Sequence, residues 1–141
     1  MESLHYLLMK AHTMLQRRIT AEAVKIGLSS GQPKVLDYLL QYEGSDQKTI
    51  AAYCEIEQAT VGSILTRMES GGLVERRQRE GNRRSLYVYL TDSGRRAAED
   101  MRAVFAQADS RAAGGLSQQE LAQLKYLLGK VCGELQKESE E

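Results

Sequence analysis

Hydrophobic residues recur at helical spacing over most of this chain. Leu4, Leu8, Ala11, Leu15 and Ile19 fall three or four apart, Leu7 and Met14 widen the stripe, and no Gly or Pro intervenes before Gly27. The spacing predicts a helix over 3–26, about 36 Å long at roughly 1.5 Å per residue. Ser29 and Gln32 have the spacing of a capping box, and Pro33 would sit in the first turn, where a missing N–H costs little. Val35, Leu36, Leu39 and Leu40 carry that second helix to about Tyr42, and Glu43-Gly44-Ser45 reads as a turn. Asp46 is placed to cap a short third helix with Ile50, Ala51, Ala52 and Cys54. A fourth spans about 58–70, with Val61, Ile64, Leu65 and Met68 inward and Gly71-Gly72 as its stop.

The period then changes. Leu73 to Arg77 and Ser85 to Leu90 are strand-like, and Leu86, Val88 and Leu90 alternate with Tyr87 and Tyr89. Between them the polar run Gln78 to Arg84, with Gly81-Asn82, predicts a hairpin with a basic tip. Thr91 and Asp92 suit the start of a fifth helix, whose stripe is Ala97, Met101, Val104, Phe105 and Ala108. Gly114-Gly115 breaks it. Ser117 and Glu120 form a second capping box before a last helix bearing Leu121, Leu124, Leu127, Leu128, Val131 and Leu135. Residues 137–141 are an acidic tail. The predicted fold class is mainly α with a small β-hairpin wing.

Composition narrows the classes. The 141 residues are 42% hydrophobic and 27% charged, which suits one globular domain over 1–141 and excludes collagen, low-complexity and wholly disordered chains. With one Phe and no Trp, aliphatic side chains must form the core. No apolar run reaches the roughly 20 residues of a membrane span, and the N-terminal residues lack a secretory pattern. Cys54 and Cys132 are far apart, as two reduced thiols of a cytoplasmic protein would be. There is no H-E-x-x-H, no G-x-S-x-G, no phosphate-cradling Gly loop and no metal-ligand cluster. The expectation is a non-enzyme with no metal and no cofactor.

Charge is uneven beneath a net of 0. Residues 67–102 hold nine Arg against six acids, and Arg76, Arg77, Arg79, Arg83 and Arg84 crowd the hairpin beside a lone Glu80. Guanidinium groups at this density suit phosphate contact and groove insertion. A short helix, a tight connection and a second helix make a helix-turn-helix, whose second helix enters a DNA major groove; the following hairpin makes it winged. With the apolar positions of 58–70 inward, Gln58, Ala59, Thr60, Gly62, Ser63, Thr66 and Arg67 face out. Gln58 suits adenine, Thr60 and Ser63 suit bases or phosphate, and Arg67 suits guanine or phosphate. Gly62 costs about 1 kcal/mol in mid-helix relative to Ala, which close backbone approach would explain.

The order and spacing of these strings resemble the MarR family of winged-helix transcription regulators. They are Ser29-x-x-Gln32-x-x-Val35-Leu36, Gln58-Ala59-Thr60-Val61-x-x-Ile64-Leu65-x-Arg67-Met68-Glu69, Gly71 to Arg76, Asn82 to Ser85, and Val88 to Gly94. The resemblance spans nearly the whole chain. It implies a sequence-specific DNA-binding regulator, a repressor by default, acting as a homodimer on a palindromic operator in double-stranded DNA. The winged helix-turn-helix would be 29–92, and 1–27 with 93–137 a helical dimerisation region. It places Arg84 and its neighbour Arg83 at the minor groove, Arg79 near phosphate and Asn82 where the family usually has Asp. Release by a small aromatic or anionic ligand is also implied, with His5, Met9, His12, Arg17 and Tyr38 as candidate lining residues. Two other readings stay open: an oxidant-sensing regulator acting through Cys54, and a winged-helix protein-interaction module.

Overall fold

A computed structural model of the chain describes residues 1–140, apart from the side chains of Arg83, Ser139 and Glu140. In order, it contains α1 (Leu4–Lys25), α2 (Gln32–Gln41), β1 (Ser45–Asp46), α3 (Gln47–Cys54), α4 (Gln58–Ser70), β2 (Val74–Arg79), β3 (Asn82–Leu90), α5 (Asp92–Ala112) and α6 (Gln118–Glu140). The backbone forms two compact units, Met1–Ala108 and Asp109–Glu141, with the boundary inside α5.

In the first unit the core is assembled largely from the predicted apolar positions, with Ala98 added from outside the stripe expected for α5 and Val104 and Phe105 of that stripe only partly buried. Val35, Leu36 and Leu39 of α2, Ile50 of α3, Val61, Leu65 and Met68 of α4, Val74 and Val88 of the sheet, and Ala98 and Met101 of α5 are almost fully buried. Each Leu- or Met-sized side chain so buried contributes roughly 1.5–3 kcal/mol relative to exposure. The α1 stripe behaves differently along its length: Ile19 and Ala23 join this core, whereas Leu4, Leu7, Leu8 and Met14 stay exposed.

Three antiparallel strands lie in the order β1-β3-β2. Ser45 pairs with Val88 and Asp46 with Tyr87 on one side of β3; Val74 pairs with Leu90 and Arg77 with Tyr87 on the other. The sequence suggests a plain turn at 43–45, and the structure corrects this: Ser45 and Asp46 form the third strand. The hairpin is also longer than its apolar pattern implies. Arg79 pairs with Asn82, so only Glu80 and Gly81 form the tip. Ladder bonds are made by backbone groups, so the polar side chains of 78–84 do not end the strands.

The capping signals resolve differently at three helix starts. Asp46 accepts from Thr49 N at 2.8 Å and caps α3 as expected. Ser117 and Glu120 form the full reciprocal box at the start of α6, at 3.0 and 2.9 Å. Ser29 and Gln32 form half of one: Gln32 Oε1 accepts from Ser29 N at 3.1 Å, but the cap of α2 is Gly31, with φ of 84°. In the second unit, Leu124, Leu127, Leu128 and Leu135 of the α6 stripe are exposed, while Leu121 and Val131 are half-buried.

Candidate nucleic-acid interface

Helix α4 presents the face expected of it. Gln58, Ala59, Thr60, Ser63, Thr66 and Arg67 are exposed and Gly62 is half-buried, while Val61, Ile64, Leu65 and Met68 point into the core. The helix has no side-chain cap at Glu57; separately, Gln47 of α3 donates its Nε2 to the Gln58 carbonyl at 3.0 Å. That crossing passes close to Gly62. A Cβ there would lie 2.9 Å from Gln47 Nε2. The glycine admits the α3 side chain that fixes the start of α4.

Not every hydroxyl on the face is free. Thr66 donates to the Gly62 carbonyl at 2.9 Å and accepts from Arg76 Nη2 at 3.1 Å. Ser63 donates to the Ala59 carbonyl at 3.3 Å. Arg76 of β2 also bonds Glu69 through Nε, Nη2 and its backbone N–H. The Arg76 N–H, together with its guanidinium, holds the Glu69 carboxyl below the usual range. Arg76 therefore ties the first wing strand to the last turn of α4.

The remaining wing arginines have distinct surroundings. Arg77 pairs with Glu75 at 2.7 Å and lies 4.4 Å from the Tyr89 ring centroid. The hydrogen bond to Glu75 raises the Arg77 pKa above its ordinary value. Arg79 donates Nη2 to the Gly44 carbonyl at 2.6 Å and stacks 3.8 Å from the centre of the Tyr87 ring. Asn82 accepts from Arg84 N at 3.1 Å and donates to Tyr87 Oη at 3.0 Å, which shapes the return of the tip. The Arg84 side chain is exposed, and neither Arg84 nor Arg67 has an ion pair among the described residues. The Arg83 side chain lies outside the described residues. Arg67 stands at the flank of the face, where it borders a polar cavity of about 460 Å³ with Gln32, Arg96 and Asp100.

Sequence reasoning missed the partners that hold this arrangement. Gln47 carried no motif, and Glu69, Tyr87 and Glu43 were read only as the end of the α4 string, a strand position and a turn, none with a partner. Glu43 accepts from Leu90 N at 2.9 Å and from Arg95 Nη2 at 2.7 Å, tying the loop before β1 to both β3 and α5.

The five residues considered for a ligand are brought together only in part. His12 and Arg17 share an open cavity of about 520 Å³ with Thr13, Gln16, Thr20 and Ala21, all from α1. His5 and Met9 are exposed nearer the start of α1 and do not line it. Tyr38 is buried on α2, where it bonds Ser45 Oγ at 2.9 Å and packs against Tyr42 and Tyr53. Cys54 is buried, and desolvation pushes its thiol pKa up, away from the reactive thiolate; Cys132 is exposed. Among the described residues no three His, Cys, Asp or Glu side chains gather as metal ligands, and no helix is long and apolar enough to cross a membrane.

Comparison with known proteins points one way. The sequence profile of the MarR family matches residues 28–86. The HTH-type transcriptional regulator MgrA of Staphylococcus aureus is 31% identical over 76% of this chain and 71% of its own length. The HTH-type transcriptional repressor Rv2887 of Mycobacterium tuberculosis is 27% identical over 91% of this chain and 92% of its own. A putative MarR family transcriptional regulator from Listeria monocytogenes, solved with a 26mer DNA, shares the fold with a TM-score of 0.92 at 18% identity, over 98% of this chain and 92% of that one.

Proposed function

From the premise that this chain belongs to the MarR family of DNA-binding transcriptional regulators, which are not enzymes, we propose that it is a homodimeric repressor of a palindromic operator. One observation carries the reading: an exposed α4 face of small and hydroxyl-bearing residues stands beside a wing whose Arg84 has no ion pair among the described residues. Small side chains let α4 approach the groove floor, where Gln58, Thr60 and Ser63 reach base edges and Ala59 and Gly62 give clearance. Thr66 supports the face through Arg76 rather than reading a base. Arg67, at the flank, takes a phosphate. Arg84 and Arg83 enter the minor groove, with Asn82 shaping the tip.

Dimerisation is supported by the apolar side chains left exposed on α1 and α6, Leu4, Leu7, Leu8, Leu124, Leu127 and Leu128 among them. Two-fold pairing is the commonest way to cover such surfaces. It would set two α4 helices on half-sites roughly 34–36 Å apart. Repression follows from a dimer excluding polymerase, and a relative of matching length is named a repressor. Release by a small aromatic or anionic ligand is the remaining part of the proposal, with His12 and Arg17 lining its site.

Fluorescence anisotropy with DNA from upstream of the gene, across a salt series and against scrambled DNA, tests this. Specific binding should be near nanomolar, and each lost phosphate contact should reduce the log–log salt slope by about 0.9. Equal, weak binding to both DNAs would defeat the operator reading of that region.

A further inference from the structure

Among the wing arginines, Arg79 directs its guanidinium at groups of the protein itself. Its Nη2 donates to the Gly44 carbonyl at 2.6 Å, its Cζ lies over the Tyr87 ring 3.8 Å from the centroid, and Nη2 donates to Tyr89 Oη at 3.4 Å. Gly44 is held on its other side by its own N–H, which donates to the Val88 carbonyl at 2.8 Å. The next two residues are β1, and Asp46 caps α3. α3 then reaches α4 through Gln47 and the Gln58 carbonyl. A continuous chain of hydrogen bonds and covalent links therefore joins the wing to the start of the recognition helix, and Arg79 is its first link.

We propose that Arg79 is a positioning residue for DNA binding: it is a strut that fixes the wing's angle to α4 through Gly44 and Tyr87, and not a phosphate ligand. The inference rests on the DNA-binding reading above. Two features favour Arg over Lys in this place. A planar guanidinium can stack on Tyr87 and direct an N–H at a carbonyl at once, which a lysine ammonium on a flexible stem does not reproduce. Gly44 has φ of 86°, a conformation that favours glycine, and its missing side chain leaves room for Arg79 Nη2, which would lie 2.9 Å from a Cβ there. Holding the wing in its bound position before DNA arrives removes an ordering cost from binding.

Charge and shape are separated by Arg79→Lys, Arg79→Gln and Tyr87→Leu, each measured for operator affinity, salt slope and melting temperature. A strut predicts that Arg79→Lys loses affinity by roughly tenfold, within about twofold of Arg79→Gln, because Lys keeps the charge and loses the plane. Tyr87→Leu, which removes no charge, should lose affinity by a similar factor, and Arg79→Gln should cost much less in its background. Melting temperatures of the two Arg79 variants should stay within about 2 °C of wild type, since an exposed side chain on the wing adds little to global stability, whereas half-buried Tyr87→Leu is judged by the affinity left after correction for any fall in stability. Arg79→Lys binding like wild type, with Arg79→Gln showing a shallower slope, would make Arg79 a phosphate contact and overturn the proposal. So would unchanged affinity in all three variants, or a shared fall in melting temperature large enough to explain the loss. Wild-type protein that prefers no DNA would instead refute the underlying DNA-binding reading.

Discussion

Gly94 stands where the first turn of α5 crosses the end of the α4–β2 connection. Thr91 N donates to the Leu73 carbonyl at 3.1 Å and Thr91 Oγ1 donates to the Gly72 carbonyl at 2.6 Å, which clamps the two segments together. A Cβ on Gly94 would coincide with the Leu73 carbonyl oxygen, a backbone atom that cannot swing aside. Gly94→Ala should therefore destabilise the protein by about 3 kcal/mol, read as a lowered urea midpoint, through overpacking against the backbone. Gly129→Ala is the contrasting case: nothing lies within 4 Å of its Cβ, and it should stabilise α6 by a few tenths of a kcal/mol up to about 1 kcal/mol. The two cysteines divide in the same local way. Cys132 should be alkylated by iodoacetamide in the native protein while Cys54, buried with its thiolate disfavoured, reacts only on unfolding. Fast alkylation of native Cys54, or loss of DNA affinity when peroxide is added to Cys132→Ser protein, would restore the oxidant-sensing reading. At this scale the sequence was least informative. It showed which side chains were basic, but Arg76, Arg77 and Arg79 each found partners that only folding places beside them: Glu69 seven residues back, Glu75 across a pleat, and Gly44 thirty-five residues away.

Secondary-structure elements were far more legible. The 58–70 helix was read with its observed bounds, because Val61, Ile64, Leu65 and Met68 keep strict helical spacing and Gly71 stops it. β1 was not legible, because two residues have no period and their pairing depends on Val88 and Tyr87, some forty positions later. The Asp46 cap was legible, and it makes a pH-dependent prediction for α3. Hydrogen bonds from the Thr49 hydroxyl and the Thr49 N–H depress its pKa below 3.8, and they outweigh the opposing effect of burial. The carboxylate's extra stability is thus fully present above the unfolded pKa and is lost as pH falls through the lower, folded value. Asp46→Ala should cost about 1 kcal/mol at neutral pH, as N-cap losses usually do. The difference between wild type and variant should stay level down to about pH 5 and shrink below pH 4, as the linkage relation requires. A difference that is constant down to pH 2, followed by denaturant titration, would show that the cap does not act through its charge.

For the whole molecule, the question is what covers the apolar residues left outside the first unit's core. Leu124, Leu127 and Leu128 of α6 are exposed by 44, 48 and 37%, and Leu4, Leu7 and Leu8 of α1 by 63, 46 and 37%. Full burial of an exposed leucine is worth roughly 1.5–3 kcal/mol, and these are already partly covered, so each adds about half of that and only a surface that covers several of them together offsets the entropy of association. The fully buried side chains of α2, α3, α4 and the sheet do not depend on those leucines. Dimerisation and the fold of the winged region are therefore separable. Leu127→Asp/Leu128→Asp should sediment as a monomer at concentrations where wild type is a dimer, while β-sheet and α4 amides keep their hydrogen-exchange protection. Its operator affinity should fall by a factor on the order of 10²–10⁴, because each half-site would lose the effective concentration supplied by its mate. The salt slope should fall with it toward half, since a single protomer releases half the counterions. A monomeric wild-type chain, or a dimer unmoved by both aspartates, would place the two-fold interface elsewhere. Retained tight binding by the monomeric variant would instead remove the palindrome from the proposed function while leaving the α4 and wing contacts standing.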